Sequence, residues 1–247
     1  MHLRTTPRLR LPHVAALATA SLALAFGLSA CENVAGYTAP ALVRVIDASY
    51  IAPAVNFYVE GTELAYNYGE GDISEYGTLP TNSNAVVKVT AVNSSTALVT
   101  TNVTLTAKSA GNQFSIFLTD NGASPTSYTV TALQDQSTAA ASGHSAFRFI
   151  NQAPRTGAVD IYMVPSGTTL ANTLPLYTDL AVGSTAGYIS FSSQTVTMVI
   201  VPTGTLTPKY TSSSLSLTGG EVRTVMIIDS QLTSDPPVSV VVADDVN

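Results

Sequence analysis

Two stretches of the chain decide how the rest is read. Ala41-Leu-Val-Arg44-Val-Ile-Asp47-Ala-Ser-Tyr-Ile-Ala-Pro-Ala-Val55-Asn56-Phe-Tyr58-Val59 lies without a gap over Ser145-Ala-Phe-Arg148-Phe-Ile-Asn151-Gln-Ala-Pro-Arg-Thr-Gly-Ala-Val159-Asp160-Ile-Tyr162-Met163, at a constant offset of 104. Arg44 and Arg148 coincide, as do Val55 and Val159, and Tyr58 and Tyr162. Asp47/Asn151 and Asn56/Asp160 exchange an acid for its amide. Within the stretch, Val55, Phe57 and Val59 alternate with Asn56, Tyr58 and Glu60, and Val159, Ile161 and Met163 repeat the apolar set. A period of two puts successive side chains on opposite faces of a strand, so these residues predict core-facing strands.

The same alternation recurs in Val87/Val89/Ala91, Phe114/Ile116/Leu118 and Tyr128/Val130/Ala132, and later in Val196/Met198/Ile200 and Leu215/Leu217. Turns rich in Gly, Ser and Asn separate them, such as Thr81-Asn-Ser-Asn84 and Thr218-Gly-Gly220. Short strands at this spacing predict a sandwich of about seven strands per repeat. A repeat near a hundred residues suits tandem domains rather than solenoid units. The expected architecture is therefore all-β: two tandem immunoglobulin-like β-sandwich domains at 41–135 and 144–247, joined by a linker at 136–143.

The openings Arg44-Val-Ile-Asp47-Ala-Ser to Tyr58 and Arg148 to Tyr162 resemble the domain of unknown function 4397 family. Its members run Arg-Val-Val-His-Ala-Ser-Pro-Asp-Ala-Pro followed by Val-Asp-Val-Tyr. Here Asp47 and Asn151 stand where that family has His, and Asn56 replaces the Asp of Val-Asp in the first copy. The resemblance covers roughly residues 41–245. It implies tandem β-sandwiches at an extracytoplasmic address and implies no activity.

Ahead of the repeats, Arg4, Arg8 and Arg10 precede an uncharged run from Val14 to Ala30. This is the layout of a secretory signal peptide. A permanent transmembrane anchor is the alternative, for which the run is slightly short. Leu28-Ser29-Ala30-Cys31 favours cleavage, because it reads as a bacterial lipobox whose thiol accepts diacylglycerol. Residues 1–30 are then a cleaved signal peptide and 31–40 a tether. Cys31 is the only cysteine of the 247 residues, which excludes an intramolecular disulfide framework. Loss of the leader leaves seven basic against sixteen acidic residues, a formal −9. That balance argues against a nucleic-acid partner, which requires a basic patch. The expected location is the cell envelope, with the membrane as partner through the lipid, in the outer membrane where the host has one and Glu32 follows the cysteine.

The mature chain keeps a single histidine, His144, beside the linker, and no Gly-x-Ser-x-Gly, Walker or dinucleotide loop. A Ser-His-Asp hydrolase, a protein zinc site and a phosphate-cradling loop are correspondingly unexpected, and no cofactor or metal site is expected. Glu60, Glu63, Glu70, Asp72 and Glu75 fall close together without a basic residue, interleaved with Tyr66, Tyr68 and Tyr76. Glu63, Tyr66, Tyr68, Asp72 and Tyr76 form the candidate ligand surface, for calcium or for a sugar stacked on tyrosine. A solvated acidic loop is the simpler reading of the same segment. Asp244-Asp245 is a weaker acidic pair. Arg44 and Arg148, each inside an apolar strand, are expected to be structural, since an unpaired buried charge is costly. Asp160 is the expected partner of Arg148. With Asn56, Tyr58, Asp160 and Tyr162 they make up a structural signature.

The sequence names no reaction. It points to a non-enzymatic structural or interaction module with an envelope protein or a glycan as partner. The alternative is a carbohydrate or small-solute binding protein that uses residues 60–76, with glycoside hydrolysis by acids alone as a third reading.

Overall fold

In the computed structural model, which describes residues 39–106, 111–120, 127–231 and 238–246, the opening stretch forms strands β1 (Ala41–Asp47) and β2 (Val55–Val59). They are followed by β3 (Thr62–Tyr68), β4 (Gly77–Leu79), β5 (Ala85–Ala91), β6 (Ala97–Val103), β7 (Gln113–Asp120) and β8 (Tyr128–Gln134). The second stretch opens β9 (His144–Gln152) and β10 (Val159–Pro165). Next come a 3₁₀ turn (Leu170–Asn172), β11 (Tyr177–Leu180), β12 (Thr185–Ser192), β13 (Thr195–Pro202), β14 (Tyr210–Ser216), β15 (Val222–Asp229) and β16 (Val238–Asp244). The signal peptide, the lipobox Leu28, Ser29, Ala30 and Cys31, and most of the tether lie outside the described residues.

The strands form four four-stranded sheets whose orders match in pairs. β4-β1-β7-β8 corresponds to β12-β9-β15-β16, and β3-β2-β5-β6 to β11-β10-β13-β14. Each half thus has eight strands rather than about seven, the extra ones being the short β4 and its longer counterpart β12. Val43, Val45, Val55, Phe57, Val87, Val89, Ile116 and Leu118 fill the space between the first half's two sheets. Phe147, Phe149, Val159, Ile161, Val196, Met198, Val225 and Ile227 do the same in the second half. The protein is all-β and built of β-sandwiches.

β1 does not alternate simply. Six of its seven residues are buried, because its other face is covered too. Ile46 and Phe117 of the first half pack on Ile150, Met226, Ile228 and Val241 of the second, in a third apolar cluster. The layers therefore stack with β4-β1-β7-β8 against β12-β9-β15-β16 and the other two sheets outside. β1 runs parallel to β7 and β9 parallel to β15, while the other pairings are antiparallel. Parallel strands need cover on both faces, and these inner sheets have it. The boundary segment is pinned rather than loose: the Gln136 amide donates to the Tyr188 hydroxyl at 3.1 Å and the Ala140 amide to the Gly220 carbonyl at 3.2 Å. His144 opens β9, half-buried.

Candidate functional site

Three places concentrate polar chemistry. The first lies between the inner sheets. Alternation on β1 and β9 turns Arg44 and Arg148 away from their own sandwich cores and toward each other's half. Their side chains are 2 % and 4 % exposed, a burial that requires full pairing. Arg44 forms an ion pair with Asp245, and its Nη1 donates to the Asp244 carbonyl at 2.5 Å. Arg148 pairs with Asp135 at 2.5 Å and donates to the Gln134 carbonyl at 2.9 Å. Each aspartate follows the last strand of the opposite half, so the two arginines cross-pair.

The surrounding contacts repeat with the same approximate two-fold relation. Arg44 Nε donates to Ser115 Oγ at 2.8 Å and Arg148 Nε to Thr224 Oγ1 at 3.1 Å. Those hydroxyls donate in turn to Asp135 and Asp245, both at 2.8 Å. The Tyr76 hydroxyl donates to Asp135 at 2.8 Å and the Tyr188 hydroxyl to Asp245 at 2.9 Å. Each guanidinium also stacks over the tyrosine of its own half, 4.8 Å from the Tyr76 centroid and 4.9 Å from that of Tyr188, a favourable cation–π geometry. Two positive and two negative charges balance in a dry setting. Burial, together with the neighbouring carboxylates, pushes both tyrosine hydroxyls well above their ordinary range. For Arg148, desolvation is the largest single influence, but Asp135, Tyr188 and Asp245 together outweigh it, and its charge is held more tightly than in water.

Asp160 is therefore not the partner of Arg148. It lies on β10 in an outer sheet, where its two oxygens accept the Asp179 amide at 2.8 Å and the Gly204 amide at 3.0 Å. Asn56 plays the corresponding part on β2, accepting the Asn67 amide at 2.9 Å. Asn67 and Asp179 are both left-handed, with φ of 61° and 55°, and each sits where the strand register shifts. The acid–amide exchange of the repeat is thus explained: either side chain caps the exposed N–H of a β-bulge. Asp245, weak as one of a terminal pair, is an anchor of the cross-paired network.

The second place is an acidic end of the inner sheets. Asp120 accepts from Ser49 Oγ at 2.5 Å and the Tyr50 amide at 2.9 Å, and Asp229 accepts from the Arg155 amide at 2.5 Å and Thr156 Oγ1 at 2.7 Å. Each closes the loop after the first strand of its half. Asp47 is fully buried beside them. Its Oδ1 accepts the Ser49 amide at 3.0 Å, and its Oδ2 has no partner among the described residues. Burial first, then the charges of Asp120, Glu70 and Asp72, push the Asp47 carboxyl up to about 7 against the pull of the Ser49 amide. Among the described residues no three His, Cys, Asp or Glu side chains gather as metal ligands.

The third place is an open groove of about 620 Å³ on the outer sheet of the first half, lined by Asn56, Tyr58, Tyr66, Lys88, Thr90 and Asn93 among others. Of the candidate surface in 60–76, the structure brings only Tyr66 to this groove, with Glu63 at its margin holding the Tyr58 hydroxyl. Tyr68 packs against the first core, Asp72 accepts the Gly69 amide at 2.8 Å, and Tyr76 is consumed by the Arg44 network. The five do not form one surface, because the segment crosses from an outer sheet through a turn to an inner one. Lys88 and Thr90 were missed because they lie on β5, distant in sequence and joined to β2 only by pairing. Asp135 and Asp245 were legible in principle, since each follows the closing strand of its repeat.

The fold and its buried polar seam define the chain as an all-β protein of paired sandwiches. Residues 41–162 match the model of the family described as Domain of unknown function (DUF4397), which supports the resemblance carried by the Arg44–Tyr58 opening. No curated protein matches the chain. Among solved structures, the CBM26 module CBMbc of Eubacterium rectale Amy13K in complex with maltoheptaose is 10% identical, TM-score 0.26, over 80% of this chain and 95% of that one. A fimbrial assembly protein from Parabacteroides distasonis is 10% identical, TM-score 0.24, over 83% and 96%. The Bacillus anthracis TIE protein is 9% identical, TM-score 0.23, over 84% of this chain and 44% of that one.

Proposed function

We propose that the protein is a lipid-anchored, non-catalytic interaction module of the cell envelope, tethered through Cys31 and made of two copies of one sandwich. The observation that carries the non-catalytic reading is where the ionisable groups are spent. Asp120, Asp135, Asp160, Asp229 and Asp245 all accept backbone or buried side-chain donors and hold loops, bulges or the seam between halves. A general acid or base needs a carboxyl that can exchange its proton with a substrate, and Asp47, the one raised to about 7, is fully buried. The anchor rests on the basic leader, the apolar run and Leu28-Ser29-Ala30-Cys31. Attachment by multiple acyl chains needs no inserted protein, because each buried methylene contributes about 0.8 kcal/mol.

Labelled palmitate should enter the wild type and not Cys31→Ser, and the wild type should fractionate with membranes. Equal labelling of both proteins would overturn the anchor. Turnover of a glycoside that a single Asp or Glu substitution abolishes would overturn the non-catalytic reading.

A further inference from the structure

The outer faces of the two halves have the same strands and opposite chemistry. On the second half, Tyr162, Val164, Val199 and Val201 form an apolar patch on which Leu170 of the 3₁₀ turn is packed. The connection that carries Leu170 runs from Ser166 to Leu176, between β10 and β11. By register, the corresponding positions of the first half are Tyr58, Glu60, Lys88 and Thr90. There the connection is only Glu60-Gly61, with φ of 50° and 78°, the tight primed turn that brings nothing across the face. One face is apolar and lidded; the other is polar and left open.

Thr90 is 2 % exposed, lines the groove, and its hydroxyl has no hydrogen-bond partner among the described residues. A buried hydroxyl without a partner is costly, and a ligand in the groove would supply one. The second half, whose face is covered by Leu170, has Val201 at that position. Tyr66 is 59 % exposed at the groove wall, a large aromatic ring offered to solvent. The Lys88 ammonium lies 5.8 Å from the Tyr58 ring centroid. The groove volume falls in the range of small-ligand sites.

We infer that this groove binds carbohydrate, a short run of a glycan chain laid across β3, β2 and β5. An exposed ring suits the apolar face of a pyranose, and the hydroxyl of Thr90 and the amide of Asn93 suit its hydroxyls. Lys88 is the one cation among the described groove residues, too little for a nucleic acid or a polyphosphate. The lining also lacks the apolar pockets by which side chains of a peptide are selected. The inference rests on the interaction-module reading, and names the partner of that module.

The test uses the full chain purified in a detergent without a sugar headgroup, titrated with cellohexaose, xylohexaose and chitohexaose and screened on a glycan array. At least one oligosaccharide should bind saturably. Tyr66→Ala and Thr90→Val should each weaken that binding about tenfold or more. Tyr162→Phe, on the lidded face, should leave it unchanged. Thr90→Val keeps the shape already used at Val201, so an intact thermal transition separates lost binding from lost folding. No binding to any array glycan, or binding insensitive to both groove substitutions, overturns the inference. So does binding confined to phosphorylated probes or peptides. Palmitate labelling of Cys31 reads the anchor independently, so failure of the glycan site and failure of the envelope reading are distinguishable.

Discussion

At Asp47, a carboxyl occupies a position that its counterpart fills with an amide. Asn151 accepts the Ala153 amide through Oδ1 at 3.0 Å, and its Nδ2 donates to the carbonyls of Leu180 at 2.8 Å and Gly157 at 2.9 Å. Asp47 keeps the first contact and has only an acceptor in place of the donor, unless it is protonated. Its carboxyl, raised to about 7, therefore binds a proton more tightly in the folded chain than in the unfolded one. This contribution is fully present below the ordinary carboxylate range. It is lost as pH rises from about 4 through 7, and amounts to roughly 4 kcal/mol across that interval. Glu70, Asp120 and Asp245 are also raised by burial and act with the same sign. Asp47→Asn should raise the melting temperature at pH 8 and flatten the decline of stability between pH 4 and 7. A wild-type profile that is flat over that range would contradict this account of Asp47.

Strands and turns carry the next level. The bulges of β3 and β11 are held by one side chain each, so Asn56→Ala should destabilise by about 1 kcal/mol, the usual worth of a neutral hydrogen bond. Asp160→Ala should cost about twice as much, because it frees two amides, Asp179 and Gly204, from a charged acceptor. Chemical denaturation checks both, and equal losses would mean that the Gly204 contact carries no weight. Most strands were legible, since Val55/Phe57/Val59 and Phe114/Ile116/Leu118 alternate as half-buried strands do. The inner strands were harder to assign a face. β1 and β7 are buried on both sides, and alternation says which residues share a face, not that a second sandwich covers the other one. The partner of Arg148 was hidden for the same reason: Asp160 is near in sequence, but strand pairing carries it to an outer sheet.

For the whole molecule, the seam makes the two halves dependent on each other. Ile46, Phe117, Ile150, Met226 and Ile228 are buried only because the inner sheets meet, and each arginine finds its nearest carboxylate across that meeting, with Asp135 of its own half 3.7 Å from Arg44 as well. Calorimetry should show one cooperative transition, with the calorimetric and van't Hoff enthalpies equal. Two separated transitions would mean that each sandwich is stable without its neighbour. The residues of the repeat signature thus differ in what they do. The arginines join the halves, Asn56 and Asp160 shape the outer strands, and the outer faces diverge into a lidded patch and an open groove.

The claim that the arginines of one half are neutralised by the aspartates of the other is tested most directly by a double-mutant cycle on Arg44 and Asp245. These residues are 201 positions apart in the chain. Arg44→Met and Asp245→Asn, each leaving a buried group without its partner, should destabilise by about 3–5 kcal/mol. The double variant should lose at least about 1 kcal/mol less than the sum of the two. Single losses below about 0.5 kcal/mol, or strictly additive ones, would contradict the cross-paired seam.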